Sequence, residues 1–326
     1  MVSLREIRRR INSVRTTQKI TEAMQRVSSA KLLRAQTALG YILPYEERLH
    51  YMLLTFLHQE HYLYEHGHLR RMDILRQTPL AIARPINYVS IVFIASDRGL
   101  CGSYNANMER KLLEVLDDYA ALPRENITLY PVGKKMLKVA EKTGCKICDQ
   151  FINLMARPDY RTCESLSRKL GIGYLRGRVD KAELIFYRFK NMAVQIIQRN
   201  TFLPFQSEMI KSSNPSFGRR LKGKQGIIIP QEYPLKELDP EYYEGYIIEP
   251  SRQELMDRLL PKVLRFQLYR SVLDANASEH AARTVAMKTA SENAQDLIRD
   301  LTLQYNKSRQ QAITNEILDM VGGTMK

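Results

Sequence analysis

The carboxyl-terminal stretch from Ser251 to Lys326 is the feature that most constrains how this chain can fold. Between Asn276 and Val321 it contains neither proline nor glycine, so no residue type in it interrupts a helix. A helical pattern this long without breakers indicates a coiled coil or a spanning rod. At a rise of about 1.5 Å per residue, this helix would be about 70 Å long. One domain cannot bury a rod of that length, so we expect it to pair with a second helix.

Local signals place the start, the bend and the end of this rod. Ser251 with Glu254 three residues later has the pattern of a capping box. Pro261 predicts a kink, or a break followed by a second start. A zone rich in alanine, 275–294, predicts close helix approach and a thin rod. Farther along, the apolar stripe consists of Leu297, Leu301 and Tyr305. The helix ends in an apolar tip, which is either frayed or held in an apolar socket, and which consists of Ile313, Ile317, Leu318 and Val321.

The amino-terminal segment supplies the partner helix. Its apolar residues recur at spacings of three and four, which predicts one buried stripe: Leu4, Ile7, Ile11 and Val14, resumed at Ile20, Met24 and Val27. An arginine-rich start is also typical of a transit peptide. Ser3 with Glu6 forms a second capping pattern, which favours a helix of the mature protein. The pattern continues past Pro44 to about His66, so we assign residues 1–68 to this helix and its extension.

The charge is strongly basic, with a net charge of +15 and a pI near 9.6. The first 36 residues hold nine basic and two acidic side chains. Self-repulsion along a helix of one sign is unfavourable, so we expect an acidic environment around this segment. Nucleic acid, a membrane surface and an acidic protein are the candidate partners. No apolar run is long enough to cross a bilayer.

A different pattern begins near residue 88. Strands alternate with helices between 88 and 206 and end in a hairpin, which predicts a mostly parallel α/β sheet. The predicted strands are 88–96, 127–132, 145–151, 182–189 and 193–198, and the predicted helices end near 119, 142 and 176. The fold class is therefore α/β: a Rossmann-like domain inserted between two long helices. Residues 69–87 form a connector, residues 207–250 a basic loop and connector, and residues 251–326 the closing helix.

No motif in this domain supports catalysis. The turn Gly99-Leu-Cys-Gly102 lacks the G-x-G-x-x-G pattern of dinucleotide-binding proteins. The spacing in 218–224 fits a phosphate loop, but Gln225 stands where Ser or Thr would bind magnesium. The pair Cys145 and Cys148 lies in a predicted strand, which points the two side chains to opposite faces. We expect no catalytic residues, no metal and no cofactor.

The histidines cluster near the end of the first helix but lack a complete set of metal ligands. Five of the six lie between 50 and 68, and His58 with His61 has a spacing that could hold a metal. Neither a cysteine nor a second close pair completes four ligands. We interpret the segment as a solvated, histidine-rich helix end.

Several motifs together closely resemble the gamma subunits of F-type ATP synthases. The first helix matches in Ile7-Arg-Arg-Arg-Ile11, Thr17-Gln-Lys-Ile-Thr-Glu-Ala-Met24 and Val27-Ser-Ser-Ala-Lys31. The turn Ser96-Asp-Arg-Gly-Leu-Cys-Gly102 is similar to the motif after the first strand of that family's α/β domain, where Asp97, Arg98, Gly99 and Gly102 stand. The last helix matches in 277–288, in 305–314 and in Val321-Gly-Gly323. The match covers both ends and the middle, in order.

The resemblance implies a rotor. In this family the two long helices form an antiparallel, left-handed coiled coil inside a ring of alpha and beta subunits. The α/β domain is a foot that binds the epsilon subunit and the membrane c-ring, and the beta subunits carry the catalytic sites. The resemblance implies beta-subunit contacts by Lys19, Met24, Arg283, Gln310 and Thr314. It places Ile317, Leu318 and Val321 in an apolar bearing.

The resemblance also implies a place in the cell and leaves two rival function classes to compare. The match starts within the first residues, which favours a bacterial protein without a presequence, peripheral on the cytoplasmic face of the plasma membrane. The basic charge alone would suit a helical nucleic-acid-binding or structural protein, although a compact recognition fold is lacking. The central domain alone would suit a Rossmann-like enzyme.

Overall fold

The computed structural model describes residues 3–65, 78–205 and 248–323, without the side chains of 54–55, 58–65, 319 and 321–323. Several predictions therefore lie outside the described residues. These are the connector up to residue 77, the basic loop 207–247 with its phosphate-loop spacing, His66 and His68, and the side chains of His58, His61 and Val321.

Two long helices frame the molecule. Helix α1 spans Leu4–Glu65 and helix α5 spans Arg252–Gly323, so both predicted rods are confirmed. The hydroxyl of Ser3 accepts a hydrogen bond from the backbone nitrogen of Glu6 at 3.2 Å. The hydroxyl of Ser251 accepts one from the backbone nitrogen of Glu254 at 3.1 Å. Both helices thus begin with the capping contact that the sequence predicts.

Of the two alternatives at Pro261, the break is wrong, because α5 continues through this residue without interruption, and the kink stays a prediction. A proline inside a helix removes one backbone hydrogen bond and costs about 3 kcal/mol or more. The residues around it offset this cost by burial against the α/β domain. They are Leu259, Leu260, Val263 and Leu264.

The two long helices pair in antiparallel orientation. Ile7 and Ile11, near the start of α1, pack with Leu301 near the end of α5. Midway, the carboxylate of Glu22 lies 3.5 Å from the hydroxyl of Ser291. Toward the other end of the pair, Leu32 and Leu39 pack with Leu273 and Ala277. Because the partner number falls as the α1 number rises, the chains run in opposite directions.

The middle of this pair is polar, which corrects the predicted stripe. Ile20 and Val27 are 55% and 57% exposed, whereas the neighbouring Ser28 is 3% exposed. Leu297 is likewise 39% exposed, and Leu301 carries the contact instead. An ideal helix drifts about 20° per heptad relative to a straight seam, so the contact face moves off the apolar residues. Small and polar side chains then fill the seam.

The α/β domain lies between the long helices in sequence. Its strands are β1 (Val89–Ile94), β2 (Ile127–Val132), β3 (Lys146–Ile147), β4 (Lys181–Phe189) and β5 (Gln195–Leu203). Its helices are α2 (Tyr104–Asp118), α3 (Lys134–Glu141) and α4 (Tyr160–Leu175), with short 3-10 turns at Arg124–Asn126 and Ile152–Met155. The strand order is β3-β2-β1-β4-β5. All pairs are parallel except β4 with β5, which confirms the mostly parallel sheet and its closing hairpin.

Four strands differ from prediction at one or both ends, and β3 and β5 differ most. β3 covers two residues rather than 145–151, because the chain turns into the 3-10 segment Ile152–Met155 soon after it. β5 extends to Leu203 rather than ending at 198, since it pairs with β4 as far as Ala182. Cys145 and Cys148 flank β3 and are free thiols.

The sheet is covered on both faces. On one face, α2 and α3 bury residues such as Ile91 and Phe93. On the other face, α4 and the first part of α5 bury residues such as Val92 and Leu184. Helix α5 therefore belongs both to the α/β domain and to the helix pair. It packs on the sheet near residues 256–275 and on α1 along most of its length.

A cluster of buried charges joins α1, α5 and the sheet. Arg270 donates a hydrogen bond to the carboxylate of Glu46 at 2.7 Å, and its Nε lies 3.5 Å from Asp274. His50 and Arg188 also line this polar space, a small cavity of about 40 Å³. Burial raises the pKa of Glu46 to about 7 and that of Asp274 to about 6, while the Arg270 guanidinium opposes both shifts. Burial and Arg270 lower the pKa of His50 to about 4.

This cluster predicts a pH-dependent stability. A carboxyl whose pKa is raised in the folded chain stabilises it below the unfolded value near 4.5, and this contribution is lost as pH rises through about 7. We expect Glu46→Gln to reduce the loss of unfolding free energy between pH 5 and 8 by on the order of 2 kcal/mol. Urea denaturation at both pH values measures it, with the exposed Glu141→Gln as control. Equal pH dependence in wild type and Glu46→Gln would contradict this assignment.

Candidate functional site

The loop after β1 carries the sequence motif 96–102 and has a fixed shape. The hydroxyl of Ser96 donates to the carbonyl of Arg98 at 2.7 Å or to the side chain of Asn105 at 2.8 Å. The backbone nitrogen of Ser96 donates to the same Asn105 oxygen at 3.3 Å. The loop is thus bound to the first turn of α2, and the thiol of Cys101 is enclosed with 2% exposure.

Asp97 ties this loop to the next helix. Its carboxylate accepts a hydrogen bond from the backbone nitrogen of Lys134 at 3.0 Å, at the amino end of α3. Acidic groups are favourable there because the first backbone nitrogens of a helix lack partners. The adjacent Gly133 has φ +106, and a Cβ there would lie 2.3 Å from the carbonyl oxygen of Ala95. Only glycine fits this approach, so the two connections after β1 and β2 lock together.

The tip of the loop points outward. Leu100 is 63% exposed and has φ +63, a left-handed conformation that is unfavourable for this residue type. The side chain of Arg98 is also exposed. Gly102 has φ +60, and a Cβ there would lie 3.8 Å from the Cβ of Ala286 on α5. The loop therefore presents Arg98 and Leu100 outward while its base rests on α5.

Helix α5 crosses the carboxyl ends of β1 and β4. The hydroxyl of Ser278 donates to the carbonyl of Tyr187, near the end of β4, at 3.4 Å. The hydroxyl of Tyr104 donates to the carbonyl of Ala275 at 3.0 Å, and its ring stacks on Tyr187 with 4.1 Å between centroids. The strand order reverses between β1 and β4, and open α/β sheets bind their ligands at that point. Here the crevice is filled by the chain's own helix.

Arg283 is the charged residue of α5 at this crossing. Its guanidinium lies 2.7 Å from the carboxylate of Glu279 and 3.4 Å from the ring Nδ1 of His280. It also donates to the carbonyl oxygens of Arg98 at 3.3 Å and Gly99 at 3.5 Å. The side chain of Arg283 is 10% exposed. The structure thus brings together two parts of the predicted site, Arg283 and the loop motif.

The electrostatics of this contact favour a charged Arg283 beside a neutral histidine. Burial raises the pKa of Glu279, and the Arg283 guanidinium opposes that rise. Burial, together with the charges of Arg283 and Lys31, lowers the pKa of His280 to about 4. The imidazole is therefore neutral near pH 7, and its Nδ1 can accept a hydrogen bond from Arg283.

Comparison with known proteins assigns the chain to a family. The sequence model of the family described as ATP synthase matches residues 3–325. An ATP synthase gamma chain of Phocaeicola vulgatus is 42% identical over 325 residues, and one of Bacteroides thetaiotaomicron is 40% identical over 327 residues. Each alignment covers 100% of both chains. The chain belongs to the ATP synthase gamma chain family.

Solved structures agree with this assignment at the level of the fold. A chain of the Euglena gracilis mitochondrial ATP synthase, in an OSCP/F1/c-ring structure, aligns with a TM-score of 0.57 and 20% identity, covering 99% of this chain and 93% of that chain. A chain of the rotor structure from the same organism aligns with a TM-score of 0.54 and 18% identity, covering 95% and 98%. The predicted family is confirmed, and the nucleic-acid-binding and enzyme alternatives are not favoured.

The remaining predicted site residues lie at two other levels along the paired helices α1 and α5. Lys19 is exposed and Met24 is half-buried, opposite the level of Ser291 on α5. Gln310 and Thr314 are exposed, and the Thr314 hydroxyl donates to the carbonyl of Gln310 at 2.9 Å. Helix rise separates Arg283 from Gln310 by about 40 Å. The predicted contact residues are therefore spread along the shaft rather than gathered in one site.

The apolar tip is exposed where the structure describes it. Ile317 and Leu318 are 50% and 62% exposed, and Met320, which the sequence analysis did not include, is 67% exposed. A row of large apolar side chains in contact with water is unfavourable unless a partner covers it.

Sequence reasoning missed four residues of the crossing, namely Tyr104, Tyr187, Ser278 and Glu279. Glu279 precedes Arg283 by four positions, a spacing that favours an ion pair on one helix face, and this signal was available. The two tyrosines carried no such signal, because their contact depends on how α5 passes over the sheet.

Among the side chains that the structure describes within residues 3–65, 78–205 and 248–323, no three of histidine, cysteine, aspartate or glutamate are close enough to hold a metal. Over the same residues, no helix carries an apolar stretch sufficient to span a membrane.

The close passage of α5 between α1 and the sheet predicts that larger side chains in the alanine-rich zone 275–294 destabilise the fold. Ala277 is fully buried with Leu32, Leu39 and Phe189, so α5 has neighbours on two sides there. We expect Ala277→Leu to lower the free energy of unfolding by about 1–3 kcal/mol, because overpacking forces the neighbours apart. Urea denaturation checks the value. The same substitution at the exposed Ala30 should change it by less than about 0.5 kcal/mol, and equal effects at both positions would refute the packing argument.

Proposed function

We propose that this chain is the central shaft of a rotary ATP synthase and couples rotation of a membrane ring to conformational change in catalytic subunits. The observation that carries the proposal is the reach of α5. Its contacts with the loop after β1 end near Ala286, and the helix continues to Gly323. At about 1.5 Å per residue, about 55 Å of helix therefore projects beyond the α/β domain, supported along its side by α1.

This shape suits a lever rather than an enzyme. A non-catalytic shaft changes the catalytic sites around it only if it contacts them differently at each angle, since an effector shifts a conformational equilibrium only by its differential affinity. The outward-pointing loop tip with Arg98 and Leu100, on one side of the long helices, would provide such asymmetry. In this proposal the beta subunits hold the catalytic sites, and the gamma chain holds none.

The partners follow from the charge and the exposed surfaces. The alpha and beta subunits would surround the shaft, and the exposed Lys19, Gln310 and Thr314 with the half-buried Met24 would face the beta subunits. The basic amino-terminal helix would be balanced by acidic side chains of these subunits. The epsilon subunit and the membrane c-ring would bind the α/β domain. The exposed tip at 317–321 would turn in an apolar bearing, which removes its large side chains from water.

The location follows from the same assembly. The chain would be peripheral to the membrane through its complex, on the cytoplasmic face of the plasma membrane of a bacterium.

Assembly and activity test the proposal. Co-expression with the alpha and beta subunits should give a complex that hydrolyses ATP, and the purified chain alone should show no turnover. Size-exclusion chromatography with an ATPase assay measures both. If the chain did not join the alpha-beta hexamer, the shaft function would be excluded.

A substitution tests the contact at Gln310. Gln310→Ala removes one hydrogen-bonding side chain, so we expect turnover of the assembled complex to fall roughly fivefold, the equivalent of about 1 kcal/mol. Assembly should persist, because the paired helices remain intact. Gln304→Ala, an exposed glutamine on another side of the same helix, should leave turnover within about twofold. Equal turnover of both variants would exclude this contact.

A further inference from the structure

Arg283 differs from the other residues for which the resemblance implies a beta-subunit contact, because its side chain is buried whereas Lys19 and Gln310 are exposed. A residue that contacts a surrounding subunit needs an exposed guanidinium, but this side chain is 10% exposed and is turned toward its own chain. An acidic group from outside would have to displace the Glu279 carboxylate, which lies 2.7 Å away and is itself 7% exposed. Breaking such a buried pair is costly, because it leaves an uncompensated charge. Arg283 therefore makes its contacts within its own chain.

Its other contacts join α5 to the loop after β1. The guanidinium donates to the carbonyls of Arg98 and Gly99, which lie 185 and 184 positions away in sequence. Asp97 bound to Lys134 and Gly102 on Ala286 hold the two ends of the loop, and the Ser96 hydroxyl also donates to the carbonyl of Arg98 at 2.7 Å. Arg283 reaches the stretch between them, just before the left-handed Leu100. A planar guanidinium with five fixed donors suits the bridging of two neighbouring carbonyl oxygens.

We infer that Arg283 is a positioning residue that holds the loop 97–101 against the shaft, so that the protrusion formed by Arg98 and Leu100 turns rigidly with α5. The inference rests on the proposed shaft function for its purpose, but the contact itself belongs to the isolated chain. Glu279 orients the guanidinium, and the neutral His280 accepts one of its hydrogens. Rigid attachment matters because a protrusion that yields under load transmits less of the shaft's rotation to whatever it touches.

The enclosed thiol of Cys101 gives a direct measure of this clamp. Cys101 is 2% exposed inside the loop, whereas Cys163, on the buried face of α4, is 0% exposed in the core. A thiol reagent reaches Cys101 when the loop lifts and reaches Cys163 only when the domain unfolds. Modification of each cysteine can be followed separately, in the purified full-length chain, by mass spectrometry of its peptide after treatment with N-ethylmaleimide.

We expect Arg283→Ala to raise the modification rate of Cys101 at least tenfold while leaving that of Cys163 within twofold. Arg283→Lys should restore slow modification to within about threefold of wild type, since an ammonium can donate to the same carbonyls. Arg299→Ala, which removes an exposed arginine of the same helix, serves as the matched control and should change neither rate. Unchanged labelling of Cys101 in Arg283→Ala would overturn the inference. A parallel rise at Cys163 would overturn it as well, because the residue would then act through general stability.

The assembled complex separates the clamp from a direct contact. With alpha and beta subunits present, Arg283→Ala should lower the turnover number severalfold without changing the KM for ATP, and Arg283→Lys should recover most of it. Lower turnover with slow Cys101 labelling would instead favour contact with a surrounding subunit and overturn the clamp. Failure of the wild-type chain to assemble would count against the shaft function alone, since the labelling result needs no partner.

Discussion

Helix α5 must fit two neighbours at once between residues 270 and 286, with α1 along one side and the carboxyl edge of the sheet along the other. Side chains there are consequently either small or held in ion pairs. Ala275, Ala277 and Ala281 are fully buried. Arg270 and Arg283 each form an ion pair with a buried carboxylate. The shaft and the α/β domain are joined through this segment. Both the long lever and the position of the loop after β1 depend on it.

The same crossing explains why a Rossmann-like sheet in this chain carries no nucleotide motif. Proteins of this architecture place ligands beyond the carboxyl ends of the strands at the reversal of strand order. In this chain that space holds Ser278 and Arg283, which donate to a carbonyl near the end of β4 and to a carbonyl after β1, respectively. The edge of the sheet that binds ligands in those proteins binds helix α5 in this chain. The lack of a phosphate loop, read from the sequence alone, thereby has a structural reason.

Much of the fold could be predicted because its signals are local. Ser3 and Ser251 cap their helices as expected, and β1 and β4 are read from short buried runs. The errors concern long-range packing: Ile20 and Val27 point to water because the seam drifts, and Pro261 is tolerated because its neighbours are buried. At the site, similarity identified Arg283 as important. Its actual neighbours could not be read from sequence, since Gly99 lies 184 positions away and spacing does not show which helix passes over which strand.

The pairing of α1 with α5 has a consequence for how the chain reaches its native state. Ile7 and Leu301 are separated by nearly the whole chain, and the two halves of the shaft emerge from the ribosome at opposite ends of synthesis. Until the last quarter of the protein is made, α1 has an apolar face without its partner, and the edge of the sheet with Tyr104 and Tyr187 is uncovered. Contacts of such long sequence separation form slowly. The closing helix thus completes both the helix pair and the α/β domain late in synthesis. A chain truncated before it would expose the apolar face of α1 and the edge of the sheet together.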